Sequence, residues 1–342
     1  MEKILLGHGS GGRLMHQLIR DNFAPEFDMK ELNDSAVIKS SDFGIQSSDF
    51  RFAFTTDSYV VSPLFFPGGN IGELAVNGTV NDISVVGAKP LRLSVGFIIE
   101  EGFSMDSLRT ILLSMAEAAK KANVKIVAGD TKVVDKGKGD GIFINTSGIG
   151  VIPDGIALGP KNIRAGDKII ISGFIGNHGI AVMSERNGLA FDPPVLSDTA
   201  PLNELVELMM QNFSRDIKMM RDPTRGGVAT TLKEMATDSG CCITISEERL
   251  SVPGGVKGAC ELFGLDPLYV ANEGILIAVV SSDAAEPLIK IMKNHPLGRD
   301  SAIIGEVSDS DQRAKGMVLL KTLIGGTRIV DMLPGEQLPR IC

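Results

Sequence analysis

Hydrophobic positions recur at helical spacing in two long segments of the first half of the chain. The first segment, residues 70–90, has an apolar face that includes Asp82. A buried charge is costly unless it is paired, hydrogen-bonded or bound to a metal, so Asp82 needs a compensating partner. The second segment, residues 104–124, begins with Ser104 as a candidate N-cap. Its apolar face is formed by Leu108, Ile111, Leu112 and Met115.

Strand patterns alternate with these helices. Residues 124–130 form an apolar run that ends on an aspartate, and residues 168–173 have the pattern of a buried strand. Residues 315–331 predict a hairpin that turns at Gly325-Gly326. This alternation favours an α/β fold in which layers of helices cover sheets (α+β layers).

The domain organisation follows from length and from one break in the periodicity. A chain of 342 residues exceeds one ordinary core, so about two domains are expected. The pattern dissolves into Pro, Gly and charged residues over 150–168. We therefore predict an N-terminal domain over 1–155, a C-terminal α/β domain over 156–331 and a flexible tail over 332–342.

The tail ends on Cys342 and contains Pro334 and Pro339, which keep it extended. At full extension it would reach roughly 35 Å. Two interpretations stay open: an incidental cysteine on a frayed terminus, or an arm with a thiol at its tip. The other cysteines lack the spacing of a zinc or redox motif, and Cys241 and Cys242, which precede a strand pattern, are predicted to be core residues.

Composition and charge exclude some partners. The formal net charge is −8, the aromatic content is 5% and Trp is absent. Nucleic acid is therefore not an expected partner, because a basic stripe and stacking platforms are both missing. The sequence also lacks an apolar run of membrane-spanning length and the basic flank of a secretory signal. We expect no membrane association and a cytoplasmic protein.

Four aspartates stand at the ends of apolar runs or on an apolar face. They are Asp34, Asp57, Asp82 and Asp130. Carboxylates that converge at strand ends are the ligands that hard cations prefer. Each aspartate alone can also be a cap, a turn residue or a surface charge. A shared magnesium-nucleotide site and four separate structural roles therefore both stay open.

The glycine-rich stretches differ in what they indicate. Residues 7–12 have no Lys-Ser or Lys-Thr pair, so they are not a Walker loop, and residues 172–181 have the wrong spacing for a dinucleotide fingerprint. Residues 221–236 are more informative. Their glycines open a helix whose N-terminal amides can receive an anion, with Arg225 nearby.

A family resemblance extends from Gly7 to Cys342. It is carried by GHGSGG at 7–12, the segment 55–90, AGDTKVV at 128–134, RDPTRGGVA at 221–229, ANEG at 271–274 and the terminal PRIC. These blocks resemble those of the HypE family of hydrogenase-maturation carbamoyl dehydratases, within the aminoimidazole-ribonucleotide synthetase-like ATP-binding superfamily. The aspartate and AGDT blocks are shared with the wider superfamily, whereas PRIC is specific to this family.

The resemblance implies a two-domain aminoimidazole-ribonucleotide synthetase-like fold and a homodimer that binds ATP with magnesium (Mg2+) near its interface. It also implies a reaction. The carbamoyltransferase HypF delivers a carbamoyl group to Cys342, and ATP drives dehydration of this thiocarbamate to a thiocyanate. The cyano group then passes through a HypC-HypD scaffold complex toward the iron of a [NiFe] hydrogenase. Cys342 would be a covalent carrier.

The same resemblance implies the site residues. The expected magnesium ligands are Asp57, Asp82, Asp130 and Asp34. The expected ATP contacts are Asp57, Asp82, Asp130, Thr131, Lys132, Gly11 and Gly12. Catalysis is assigned to Cys342, to Lys132 as a phosphate contact or base, and to Glu273 in proton transfer or in holding the lysine. His8 is a further candidate for contact with ATP.

Two other functions remain as alternatives. A synthetase or kinase of the same superfamily that acts on a free small metabolite would share the aspartates but would not use the tail. A nucleotide-gated docking protein would bind ATP without tail-dependent turnover. The terminal PRIC block weighs against both.

Overall fold

The structure is a computed structural model, and it describes residues 3–9, 12–27, 33–43, 51–308, 314–333, 338 and 340–342. Within these ranges the chain forms two large sheets that are covered by helices, which confirms the predicted α/β class. No helix of the described ranges combines the length and the apolar character that a membrane span requires.

The first sheet is built from the first half of the chain. The strands of this half are β1 (Ala36–Lys39), β2 (Arg51–Tyr59), β3 (Phe65–Phe66), β4 (Gly69–Asn70), β5 (Lys89–Glu100), β6 (Lys125–Val134) and β7 (Ile142–Ile152). The sheet order is β1-β2-β7-β5-β6, while β3 and β4 form a separate short ladder. Strands β5 and β6 are parallel, and the other neighbours are antiparallel.

The helices of this half lie before and between these strands. They are α1 (Arg13–Leu18), α2 (Ala24–Glu26), α3 (Ile71–Val85) and α4 (Met105–Lys121), with a π-helical turn at Ile19–Phe23. Both long helices confirm the predicted patterns. Ser104 caps α4, since its hydroxyl accepts a hydrogen bond from the Ser107 amide at 3.3 Å. One residue of the predicted apolar face was wrong: Leu112 is 42% exposed.

The second half forms a larger sheet of order β14-β13-β10-β12-β8-β11-β9. Its strands are β8 (Lys168–Ile171), β9 (Ile217–Arg221), β10 (Cys242–Ser246), β11 (Ile277–Val280), β12 (Ala302–Ser308), β13 (Val318–Lys321) and β14 (Thr327–Val330). Its helices are α5 (Asn177–Arg186), α6 (Asn203–Phe213), α7 (Gly227–Ser239), α8 (Gly254–Phe263) and α9 (Ser282–Met292). The antiparallel pair β13 and β14 confirms the predicted hairpin.

Helix α3 lies at the centre of the molecule. It packs against β2, β7 and α4 on one side and against β9 and α6 of the second half on the other. Close packing requires small residues here, because a Cβ at Gly78 would lie only 2.3 Å from the Tyr59 hydroxyl. The helix therefore joins the two halves through one shared core and carries Asp82 to the junction.

The chain passes from one sheet to the other between Ile152 and Lys168. The predicted domain boundary at 155 lies in this connection, and the division of the chain into 1–155, 156–331 and 332–342 stays a prediction. Two local expectations differ from the structure. Strand β6 continues beyond Asp130 to Val134, and Glu273 lies in the loop before β11, not within a strand. Of the two adjacent cysteines that were predicted to be core residues, Cys242 is buried and Cys241 is only partly buried.

Candidate active site

Three carboxylates from distant parts of the chain meet at the junction of the two halves. Asp34 lies shortly before β1, Asp82 lies on α3, and Asp222 directly follows β9. One oxygen of each lies within 4.8 Å of the other two. Asp57 of β2 lines the same cavity, which has a volume of about 200 Å³. The structure thus brings together three aspartates of the predicted set and adds Asp222.

Burial makes these carboxylates costly to ionise. Loss of water raises the pKa of Asp82 well above its usual range, and the neighbouring carboxylates raise it further. Burial likewise raises the pKa of Asp222 to about 7, with an additional contribution from the charge of Asp34. A divalent cation would relieve this repulsion, and oxygen ligands at this spacing fit a hard cation such as magnesium.

An internal cation borders the carboxylates on one side. Arg221 places Nη2 at 2.7 Å from Asp34 Oδ1 and Nη1 at 2.9 Å from Glu234 Oε2. Glu234 Oε1 lies in turn 2.6 Å from His16 Nε2, which ties α1 to this wall of the cavity. These ion pairs hold the Asp34 carboxylate in one orientation within the cavity lining.

The C-terminal residue lies in the same cavity. A main-chain oxygen of Cys342 accepts a hydrogen bond from the Val60 amide at 3.1 Å, just beyond the end of β2. Burial raises the pKa of the Cys342 thiol to about 12, although the positive charge of Arg225 lowers it in part. The free thiol is therefore protonated at neutral pH in this position. The cavity suits a group already attached to the sulfur better than it suits a thiolate nucleophile.

Arg225 connects the thiol to the aspartates. Its Nη2 lies 3.0 Å from Asp57 Oδ1. The next two residues, Gly226 and Gly227, have positive φ angles of 75° and 60°, which glycine adopts without strain. This turn aims the guanidinium into the cavity immediately before α7 begins. A positive side chain and a helix N-terminus at one point are suited to bind an anionic group.

Glu273 is the most deeply buried acid of the cavity lining, with 2% exposure. Burial raises its pKa well above the usual range, and the charge of Asp222 raises it further. Its backbone amide donates to Asp198 Oδ1 at 3.2 Å, which fixes the loop that carries it. A buried carboxyl with a raised pKa is a candidate for proton transfer.

Asp130, Thr131 and Lys132 are not part of this cavity in the described single chain. Lys132 Nζ lies 2.9 Å from Asp130, and both side chains are 71% exposed. Strand register explains the separation of Asp130 and Lys132, whereas Thr131 lies on the same face as Asp57 but is exposed on the edge strand β6. Across β7 and β5, Asp57 is level with Gly129, so the side chain of the next residue points to the opposite face of the sheet. The assignment of these residues to ATP and magnesium stays a prediction.

The glycine-rich segment at residues 7–12 is described only in part. Gly11 lies outside the described residues. Gly12 directly precedes α1, and Met15 of that helix lines the cavity. The ring of His8 bonds locally, with Nδ1 at 3.0 Å from the Leu5 amide.

Comparisons with known proteins decide the family. Residues 32–152 match the N-terminal domain, and residues 164–315 the C-terminal domain, of AIR synthase related protein. The carbamoyl dehydratase HypE of Bradyrhizobium diazoefficiens is 53% identical over 340 residues, which cover 98% of this chain and 95% of that protein. This chain belongs to the HypE family.

Solved structures of HypE proteins agree with the fold. In a HypE-HypF complex, the matching chain is 52% identical with a TM-score of 0.84, and the match covers 92% of this chain and 99% of that chain. A HypE in complex with ATP is 46% identical with a TM-score of 0.82, over 99% of this chain and 100% of that chain. The two-domain fold expected of the HypE family is therefore confirmed.

Asp222 is the member of the three-carboxylate cluster that sequence reasoning missed. The sequence did contain a signal for Asp222. It is an aspartate directly after an apolar run, which is the same pattern that singled out Asp57 and Asp130. The stretch around it drew attention for its glycines and for Arg225. Only the tertiary structure shows that the end of β9 lies next to Asp82 of α3 in this HypE protein.

Proposed function

We propose that this HypE family member uses ATP and Mg2+ to dehydrate a thiocarbamate on Cys342 to a thiocyanate, in the cytoplasm. The observation that carries the proposal is the position of Cys342. The last residue of the chain lies in one cavity with Asp34, Asp82 and Asp222. An enzyme that acts on a free small metabolite has no use for a terminal thiol at this point. The cyano group is the precursor of the cyanide ligand on the iron of a [NiFe] hydrogenase.

Asp34, Asp82 and Asp222 are the residues that would hold magnesium. The fit rests on their clustered oxygens and on the raised pKa of Asp82, which reflects burial first and like-charge repulsion second. Magnesium in such a site neutralises the charge of the transferred phosphate. Arg225, which Asp57 holds in place, is positioned to contact that phosphate.

The reaction must make an amide oxygen leave. The γ-phosphate of ATP is transferred to the carbamoyl oxygen, and ADP leaves. The carbon–oxygen bond then breaks, and the oxygen departs with the phosphate. The nitrogen gives up both protons as the carbon–nitrogen triple bond forms, so that the products are the thiocyanate, ADP, phosphate and one net proton. No oxidant or reductant is needed.

Glu273 is the residue of the described cavity that is best suited to move these protons. It lines the same cavity as the thiol, and burial raises its pKa, which makes its carboxylate a stronger base. Lys132 keeps its predicted role as a phosphate contact or base. That role requires a second copy of the chain, because the Lys132 side chain points away from the cavity of its own chain.

We propose a homodimer that supplies this second set of residues. The outer face of the first sheet carries Asp130 together with three exposed apolar side chains. They are Phe54, Ile98 and Ile149, with exposures of 44%, 46% and 37%. Exposed apolar residues grouped on one face favour burial against a partner. A copy that packs on this face would bring Asp130, Thr131 and Lys132 near the ATP site.

The proposed partners follow from the chemistry of Cys342. HypF would carbamoylate the thiol, and a HypC-HypD scaffold complex would accept the cyano group. A solved relative that is 52% identical is itself a HypE-HypF complex, which supports the first of these partners. Both partners need access to the sulfur, so the tail must leave the cavity between steps. Neither nucleic acid nor a membrane has a role in this scheme.

The experiment is a mass measurement on the C-terminal peptide. The full-length protein is carbamoylated with HypF and a carbamoyl donor, separated from both, and then given ATP with and without magnesium. We expect a carbamoyl group on Cys342 that loses the mass of one water only when both are present. A Cys342→Ala protein serves as the control. An unmodified Cys342 in the presence of active HypF would contradict the proposal and favour a free small-molecule substrate.

A further inference from the structure

The end of the tail is held by a set of contacts that the dehydration chemistry does not itself require. The Val60 amide donates to a main-chain oxygen of Cys342 at 3.1 Å, and the Ser62 amide donates to the Arg340 carbonyl at 3.2 Å. The tail turns between these contacts, because Arg340 has a left-handed φ of 49°. Two main-chain donors that are two residues apart thus hold the tail at Cys342 and at Arg340.

His178 contacts the main-chain carbonyl of Ile341, which lies between Arg340 and Cys342. It is fully buried on α5, and its Nε2 lies 2.8 Å from the Ile341 oxygen. A carbonyl can only accept, so Nε2 carries the proton and Nδ1 accepts from the Ser197 hydroxyl at 2.8 Å. Burial lowers the pKa of His178 to about 4, which keeps the ring neutral and this arrangement fixed.

The side chains of the tail are read as well. Arg340 donates from Nε to the Val60 carbonyl at 2.9 Å and pairs with Asp140, while Arg186 donates to the Arg340 carbonyl at 2.8 Å. Ile341 is buried at 4% exposure. The two contacts of the Arg340 guanidinium, to the Val60 carbonyl and to Asp140, are the ones that lysine could not reproduce in the same geometry.

Leu338 is a further anchor of the tail, held by its side chain. It packs on the apolar cluster formed around α5 and α8. The approach depends on Gly179, where an added Cβ would meet a Leu338 carbon at 3.3 Å and a Val270 carbon at 2.5 Å. One turn of α5 thus offers a small residue to Leu338 and an imidazole to Ile341.

We propose that His178, Arg186 and Asp140, with the Val60–Ser62 edge, form a receptor that recognises Leu338 and the terminal Arg340, Ile341 and Cys342, and that His178 is the positioning residue that sets the Cys342 thiol at the carboxylates. The inference rests on the proposed function, in which the tail alternates between this receptor and outside partners. The receptor places the carbonyl of the residue before the cysteine on a rigid buried donor. The register of the tail, and with it the depth of the thiol, is thereby fixed to one position.

The test measures how fast a thiol reagent labels Cys342 in the full-length protein. Cleavage after Glu336 releases the C-terminal peptide, whose mass reports the labelled fraction. His178→Phe keeps the ring volume but leaves the buried Ile341 carbonyl without a donor, so labelling should be at least about tenfold faster. His178→Gln places an amide donor near the same point and should stay within about threefold of the parent. Equal unfolding midpoints would exclude a general loss of structure.

A second variant tests the receptor from the side of the tail. Arg340→Lys keeps the charge but loses the Nε donor and the paired geometry toward Asp140, so labelling should be several-fold faster. Arg109→Lys, on an exposed ion pair of α4, is the matched control and should label as the parent does. Parent-like labelling of both His178→Phe and Arg340→Lys would overturn the receptor. The readout does not involve carbamoyl chemistry, so a failed dehydration assay with a well-protected thiol would reject the proposed function alone.

Discussion

The guanidinium of Arg225 lies 3.0 Å from the carboxylate of Asp57, and it is also the positive charge that lowers the pKa of the Cys342 thiol. A thiolate at Cys342 would raise the pKa of Arg225 most; with the thiol protonated, the largest remaining influence that raises it is the carboxylate of Asp57. Arg225 therefore stays charged despite its burial. It is the cation placed between the carrier sulfur and the proposed phosphate position.

Replacing Arg225 with Gln should slow the dehydration step and leave carbamoylation intact. The phosphate would lose a charged donor in a cavity sheltered from water, where such donors contribute about 100-fold to the rate. We expect a single-turnover rate of water loss from carbamoylated Cys342 reduced by roughly that factor. Arg225→Lys, which retains the charge without the fork, should fall in between. An unchanged rate for Arg225→Gln would remove Arg225 from the proposed phosphate site.

We expect magnesium to stabilise the folded protein through the carboxylate of Asp82. Its carboxylate is buried beside like charges, so Asp82→Asn removes repulsion while the Thr55 hydroxyl can still donate to the amide oxygen. The variant should be more stable than the parent without magnesium, by about 1–3 kcal/mol in the free energy of unfolding. The parent should be stabilised by magnesium with ATP, and the variant should not. Thermal unfolding with and without magnesium would show this crossover, and a parent-like response of Asp82→Asn would argue against a metal at Asp82.

Structural features that depend on local periodicity could be predicted from the sequence. Helix α3 and the unusual place of Asp82 on its apolar face could be predicted because helical spacing is a property of neighbouring residues. Asp130 does not lie beside Asp57 in the described single chain, because the end of an apolar run does not determine which face of a sheet a side chain takes, and its assignment to the site stays a prediction. The approach of Cys342 to Val60 could not be predicted either. It joins residues from opposite ends of the chain and depends on the complete fold.

The pH dependence of stability should report on Asp198, which fixes the Glu273 loop. Burial raises the pKa of Asp198 from 3.8 to about 6. The folded protein therefore binds this proton more tightly than the unfolded chain, so the free energy of unfolding increases as the pH falls through 6 toward 3.8. Between pH 7.5 and 4.5 the contribution is about 2 kcal/mol.

Asp198→Asn should remove that contribution and retain an oxygen that can accept from the Glu273 amide. Denaturant titrations of both proteins at pH 7.5 and 4.5 would isolate the contribution of Asp198. The other buried acids are present in both proteins, so their effects cancel in the difference. We expect the stability difference between parent and variant to shift by about 2 kcal/mol in favour of the parent at the lower pH. A difference that does not change with pH would place the titration of Asp198 outside this window.

A shared active site can be tested by mixing two inactive variants. Asp82 lies in the cavity of its own chain, whereas Asp130 points to the outer face of the first sheet, where we propose that the second copy docks. If each site takes Asp82 from one copy and Asp130 from the other, a mixed dimer of Asp82→Asn and Asp130→Asn contains one site that is intact. Co-expression in equal amounts should then restore about a quarter of the parent activity, since half of the dimers are mixed and each has one working site of two.

The matched control pairs two variants from the same cavity, Asp82→Asn with Asp222→Asn. Both residues belong to one carboxylate group of a single chain, so each mixed dimer has two damaged sites and activity should not return. Recovery with Asp130→Asn but not with Asp222→Asn would assign the exposed strand β6 to the site of the partner. Failure of both mixtures, with dimers present, would mean that Asp130 does not complete a site on the second copy, and its ion pair with Lys132 would then have a structural role within one chain.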